Sequence, residues 1–178
     1  MGLKKEIAKY KAQSVCVKII RKSKMPIIHG YILGCSDDLI IVQEVDDFIV
    51  LGYIIIPKKS IKSIRYIACD KTYDNILKAE KQFEKVHLKY EIDLTNWKTT
   101  FQSVKSTGLN LTIECEKREL FLIGILGNIK KETVYIRYFD ATGILDDMDT
   151  LVFYKEITKI NFDDRYVNTF SKYLKTAN

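Results

Sequence analysis

Leu3, Ile7 and Tyr10 recur at the i, i+4, i+7 spacing that puts apolar side chains on one face of a helix, with lysines on the other. The period then changes to two. Val15, Val17 and Ile19 alternate with polar or small residues, which predicts a half-buried strand, and residues 21–26 form a polar turn. Residues 28–35 predict a second strand in which Gly30 and Gly34 mark a sharp bend or a close backbone approach. A turn at 36–38, a third strand at 39–45 and a turn at 46–47 follow. Residues 48–56 are almost unbroken apolar, which predicts a fourth strand buried on both faces. Pro57 ends it, residues 58–60 make a tight turn, and a fifth strand runs over 61–68.

The segment 70–90 has apolar residues at Ile76, Ala79, Phe83, Val86 and Tyr90, predicting an amphipathic helix that packs on its own domain rather than forming a coiled coil. Thr95 or Asn96 caps a further helix carrying Trp97, Phe101 and Val104, and Gly108 closes it. Strands are predicted at 109–115, 119–128, 133–139, 150–154 and 158–162, then a last helix with Val167, Phe170 and Leu174 on its apolar face. This repeats the first half. At an offset of 94 residues Leu3 matches Trp97, Ile7 matches Phe101, Val17 matches Leu111 and Ile19 matches Ile113. Leu33-Gly34 matches Leu126-Gly127 at 93, and Ile56, Ile61 and Ile64 match Val152, Ile157 and Ile160 at 96. The chain therefore divides into a first module with its helix (1–72), a helical connector (73–95) and a second module with leading and terminal helices (96–178). Modules this small bury too little surface to be robust alone, so each is expected to pack on a neighbour.

Composition narrows the function classes. The net charge of +6 is concentrated at the start, where residues 1–69 carry 12 Lys/Arg against 6 acids and the remainder is balanced. Lys4, Lys5, Lys9, Lys11, Arg21, Lys22 and Lys24, with Lys58 and Lys59 in the later tight turn, are the candidate contacts for nucleic acid or an acidic partner. The alternative for the same residues is a solvated helix face and hairpin tip. Asp146, Asp147 and Asp149 predict an exposed acidic loop without the order of a calcium loop. Cys16, Cys35, Cys69 and Cys115 and the histidines His29 and His87 lack metal-ligand spacing, so no metal is expected. No nucleophile elbow, phosphate loop, dinucleotide fingerprint or zinc-protease motif is present, so neither catalysis nor a cofactor is expected. Lysines interrupt the N-terminal apolar positions, and the longest apolar run is far below the ~20 residues of a membrane helix, pointing to a cytoplasmic, soluble chain.

The order of a short helix and five strands, with Val15-x-Val17-x-Ile19, then Gly30 to Gly34, then residues 39–42, then Ile56-Pro57-Lys58-Lys59-Ser60-Ile61, resembles the Sm, LSm and Hfq family. The resemblance covers residues 14–66 and, less closely, 108–162. It implies an α+β, mainly β chain of two tandem Sm-like or SH3-like five-stranded small barrels with flanking helices. It also implies pairing of the fourth-strand edge of one module with the fifth strand of the next, with a monomer or closed dimer expected. The family's uridine-binding Asn and Arg-Gly positions are not matched, because Ile40 and Pro57-Lys58 stand there. The expected function is thus a non-catalytic binding or scaffold protein. A protein partner is weighed above the alternative, weak salt-sensitive RNA binding through the basic first half.

Overall fold

The structure is a computed structural model that describes residues 2–22 and 26–175. It is a mixed α+β chain of two compact units, Met1–Lys89 and Tyr90–Asn178. Unit one comprises α1 (Leu3–Gln13), β1 (Cys16–Arg21), β2 (Ile28–Cys35), β3 (Leu39–Asp46), β4 (Ile49–Pro57), a 3-10 turn at Lys58–Ser60, β5 (Ile61–Arg65) and α2 (Ala68–Ala79). Its antiparallel strands lie in the order β5-β1-β2-β3-β4. The period-two alternation of β1 and β2 sends Val17, Ile19, Ile28 and Ile32 to one face, where they meet Ile40, Val42, Ile54, Ile56, Ile61 and Ile64. α1 lays Ile7 on that core, with Leu3 and Tyr10 partly buried beside it.

Unit two repeats the plan: α3 (Trp97–Ser106), β6 (Leu111–Cys115), β7 (Leu120–Ile129), β8 (Thr133–Tyr138), β9 (Thr150–Phe153), a 3-10 turn at Tyr154–Glu156, β10 (Lys159–Phe162) and α4 (Arg165–Ser171). Its strand order, β10-β6-β7-β8-β9, is that of unit one. Asn96 caps α3, its side chain accepting the Thr99 N–H at 3.1 Å. The deepest shared feature is a glycine. A Cβ on Gly30 would stand 2.1 Å from the Gln43 carbonyl oxygen, and one on Gly124 would stand 2.3 Å from that of Arg137. Both strands therefore pass a neighbour so closely that only hydrogen fits.

Several expectations are corrected. The offset of 94 persists through the second strand of each unit, since Ile32 pairs with Val42 and Leu126 with Ile136, so Ile32 rather than Leu33 is the counterpart of Leu126. The helix predicted over 70–90 stops at Ala79, because Lys81 takes a left-handed backbone with φ of 56°. Phe83 and Val86 still pack inward, but from a 3-10 turn and extended chain. That chain is held by Gln43, which donates to the Lys85 carbonyl and accepts the His87 N–H, and by Tyr53, whose hydroxyl donates to the His87 carbonyl. The fifth strand ends at Arg65, where α2 is about to begin. β4 is covered on both faces only from residue 52 onward, and Ile49 at its start is 48% exposed. Within each unit the sheet is open: β4 and β5, like β9 and β10, are its two ends, and no hydrogen-bonded pairing joins them among the described residues.

Candidate functional site

The basic residues singled out from the sequence do not form one set. Lys5, Lys9 and Lys11 on α1, Lys22 after β1 and Lys59 in the 3-10 turn are exposed. Lys4 is exposed but pairs with Asp37 at 3.6 Å. Lys58 is half-buried, its Nζ donating to the Ser36 carbonyl at 2.7 Å. Lys24 lies outside the described residues. Arg21 is corrected outright: it continues the Val17, Ile19 alternation of β1, pairs with Ile61, and is only 4% exposed. Its Nη2 donates to the Pro26 carbonyl at 3.5 Å, and its guanidinium is not part of a surface patch.

One end of each unit brings two turns together through the same bonds. In unit one the Lys58 N–H donates to the Asp38 carbonyl and the Lys58 side chain to the Ser36 carbonyl. In unit two the Tyr154 N–H donates to the Glu132 carbonyl and the Tyr154 hydroxyl to the Lys130 carbonyl, at 3.0 and 2.9 Å. The scaffold is shared, yet the surface chemistry is not. Ser36-Asp37-Asp38 faces Lys58-Lys59-Ser60 in unit one, whereas Lys130-Lys131-Glu132 faces Tyr154-Lys155-Glu156 in unit two. In unit two an open cavity is lined by Glu132, Phe153, Tyr154 and Lys155. The Tyr154 ring stacks on Phe101 at 5.7 Å, which in turn stacks on Trp97. Burial pushes the Tyr154 hydroxyl up to about 12, so it stays a neutral donor. Phe153 is 40% exposed with Lys155 Nζ 5.5 Å from its ring centroid, and Lys130 Nζ lies 5.0 Å from that of Tyr135. The sequence places Phe153 and Tyr154 at the end of a predicted strand and carries no signal that joins them and Lys155 to Lys130 and Glu132.

A second constellation, missed from sequence, lies beneath α2. Asp70 and Asp74, one turn apart on that helix, are each 1% exposed. Asp74 accepts from the Tyr31 hydroxyl at 2.6 Å, the Tyr66 hydroxyl at 3.5 Å and the Cys16 N–H at 3.4 Å, and pairs with Lys78 at 3.3 Å. Asp70 accepts the Ile67 N–H at 2.9 Å and pairs with Arg65 at 3.3 Å and Lys18 at 3.5 Å. Burial disfavours its charge, but the Ile67 N–H and the Arg65 and Lys18 cations outweigh it and hold the carboxyl below its usual range. Burial, with Asp74 and Asp70 adding to it, pushes the Cys16 thiol up, and burial and Asp74 do the same to Tyr31, so neither ionises near neutral pH. The layer fastens a helix; its nucleophiles are inert. His29 is half-buried at its margin and His87 is exposed.

No protein-family model, no curated protein and no solved structure matches this chain. No helix among the described residues is long and apolar enough to cross a membrane.

Proposed function

We propose that this chain is a non-catalytic, cytoplasmic binding protein of two Sm-like, SH3-like five-stranded modules, and that single-stranded RNA is the ligand. The modular part rests on the repeated helix and five-strand order, on Gly30 and Gly124 at the same bend, and on the matching turn pairs. The observation that carries the ligand is the unit-two cavity, where the exposed Phe153 ring meets Lys155 beside Tyr154 and Glu132. Aromatic faces stack on any base while lysines meet the phosphates, which is how sequence-tolerant single-strand binders work. The sequence alone weighs toward a protein partner because the uridine-type Asn and Arg are absent. A stacking platform of a different composition removes that objection.

The second reading, a protein partner, is favoured by Phe48 and Ile49, which present exposed apolar side chains at the tip of the β3–β4 hairpin. Titrating labelled RNA and measuring mass in solution separates the two. RNA binding lost in Phe153→Ala but intact in Ile49→Lys supports the first reading. No RNA binding, with a dimer that Ile49→Lys reduces to a monomer, supports the second.

A further inference from the structure

β2, β1 and β5 set His29, Lys18 and Arg65 side by side, because Lys18 is the cross-strand partner of His29 on one flank and of Arg65 on the other. Direct partners share a sheet face with Cβ atoms about 5 Å apart, so these three basic groups form one row. α2 covers the row, and the carboxylate that meets it is Asp70, 3.5 Å from Lys18 Nζ and 3.3 Å from Arg65 Nη2. One buried carboxylate thus faces a lysine and an arginine. The third member is neutral: burial first, then Lys18, lowers the His29 pKa from 6.5, with Arg65 acting the same way and Asp70 and Asp46 opposing. His29 Nε2 is buried and has no hydrogen-bond partner among the described residues.

The His29 ring also packs on Tyr73 of α2, centroid to centroid 4.5 Å. Tyr73 in turn stacks on Phe48 at 4.2 Å, and its hydroxyl accepts the Phe48 N–H at 2.8 Å. Asp47 and Phe48 both hold left-handed backbone, with φ of 44° and 59°, as a two-residue hairpin turn requires. Glycine is the residue that normally takes the second position, so an aromatic side chain there needs an outside partner, and Tyr73 is that partner. From the cation row and the ring stack we infer that α2 is a proton-released cover. Protonating His29 places a charge at a buried Nε2 that has no hydrogen-bond partner among the described residues and that α2 keeps from water, so α2 lifts to hydrate it, taking Tyr73 off Phe48 and freeing the β3–β4 hairpin tip.

The inference is independent of the ligand proposed above. Its test is amide hydrogen exchange on the full chain, expressed as protection over intrinsic rates, at about pH 7.5 and about pH 5. The Phe48 and Leu77 amides are expected to lose about tenfold or more of their protection on acidification, while β7 amides keep theirs. His29→Phe keeps a ring against Tyr73 and is expected to abolish the loss. Equal protection of the wild type at both pH values, or an undiminished loss in His29→Phe, overturns the inference. The wild type supplies a readout that needs no variant: Phe48 protection must fall as pH drops toward the midpoint of the His29 ring titration by NMR and level off below it, and a fall that continues unchanged below that midpoint overturns the inference as well.

Discussion

At the scale of single residues, the two bend glycines are the least replaceable positions. A methyl group at Gly30 or Gly124 would collide with backbone carbonyl oxygen rather than with a side chain able to move aside. Gly30→Ala and Gly124→Ala are each expected to cost about 2 to 3 kcal/mol in chemical denaturation, the cost of overpacking where backbone must shift. A loss below about 0.5 kcal/mol in either would refute the close approach. Gly30 was legible in the sequence as a strand glycine, yet its counterpart was not. Matching Gly34 to Gly127 satisfied composition, whereas the register is set by which residue of the second strand faces Val42 or Ile136. Arg21 was misread for a related reason: summing charge treats every arginine as surface, while the strand period carried this one into the covered face beside Ile61.

At the scale of elements, strands and helix caps were readable because period and capping are local. Asn96→Ala removes a bond to Thr99 N–H and is expected to cost unit two about 1 kcal/mol, followed by the fluorescence of Trp97, the next residue. The attachment of α2 was not readable, since acids on an amphipathic helix ordinarily face solvent, and only the docked position over β1 and β5 shows that Asp70 and Asp74 face inward. Leu77 is the one fully buried apolar residue of α2, so much of its hold is polar. α4 at the same place in unit two relies on Val167, with Phe170 packed against Ile123 and Phe139. Asp70→Asn leaves Lys18 and Arg65 without their carboxylate, and because both cations keep partial contact with water a loss of about 1 to 2 kcal/mol at neutral pH is expected. A carboxyl held below its ordinary 3.8 contributes stability above that value and loses it as pH falls through the lower native value. Wild type should therefore lose stability steeply in acid relative to Asp70→Asn. Parallel acid limbs in thermal unfolding of the two proteins would remove Asp70 as the cause.

For the whole molecule, the net charge of +6 was legible and its placement was not. The lysine excess of the first unit is partly taken up within the unit, by Asp70 at Lys18 and the Ser36 carbonyl at Lys58, with Lys4 pairing with Asp37 at the surface. The second unit, near balance in total charge, carries Lys130, Lys131 and Lys155 at its paired turns, with Lys155 over the exposed Phe153 ring and Lys130 over the half-buried Tyr135 ring. A strand of RNA seated there would have three lysines for its phosphates. Each neutralised phosphate of single-stranded nucleic acid contributes a slope of about −0.7 in log affinity against log salt, so three give about −2. Raising salt from about 50 to about 200 mM is then expected to weaken binding by about twentyfold. Phe153→Ala should cost a further 1 to 3 kcal/mol or so at either salt, since stacking on an aromatic face contributes about that much per base. Titrating a fluorescent oligonucleotide at the two salt concentrations measures both effects. If Lys5, Lys9 and Lys11 replaced by alanine abolish binding while Phe153→Ala leaves it unchanged, RNA remains the ligand but its seat is α1, and the paired turns of unit two are only a fold feature.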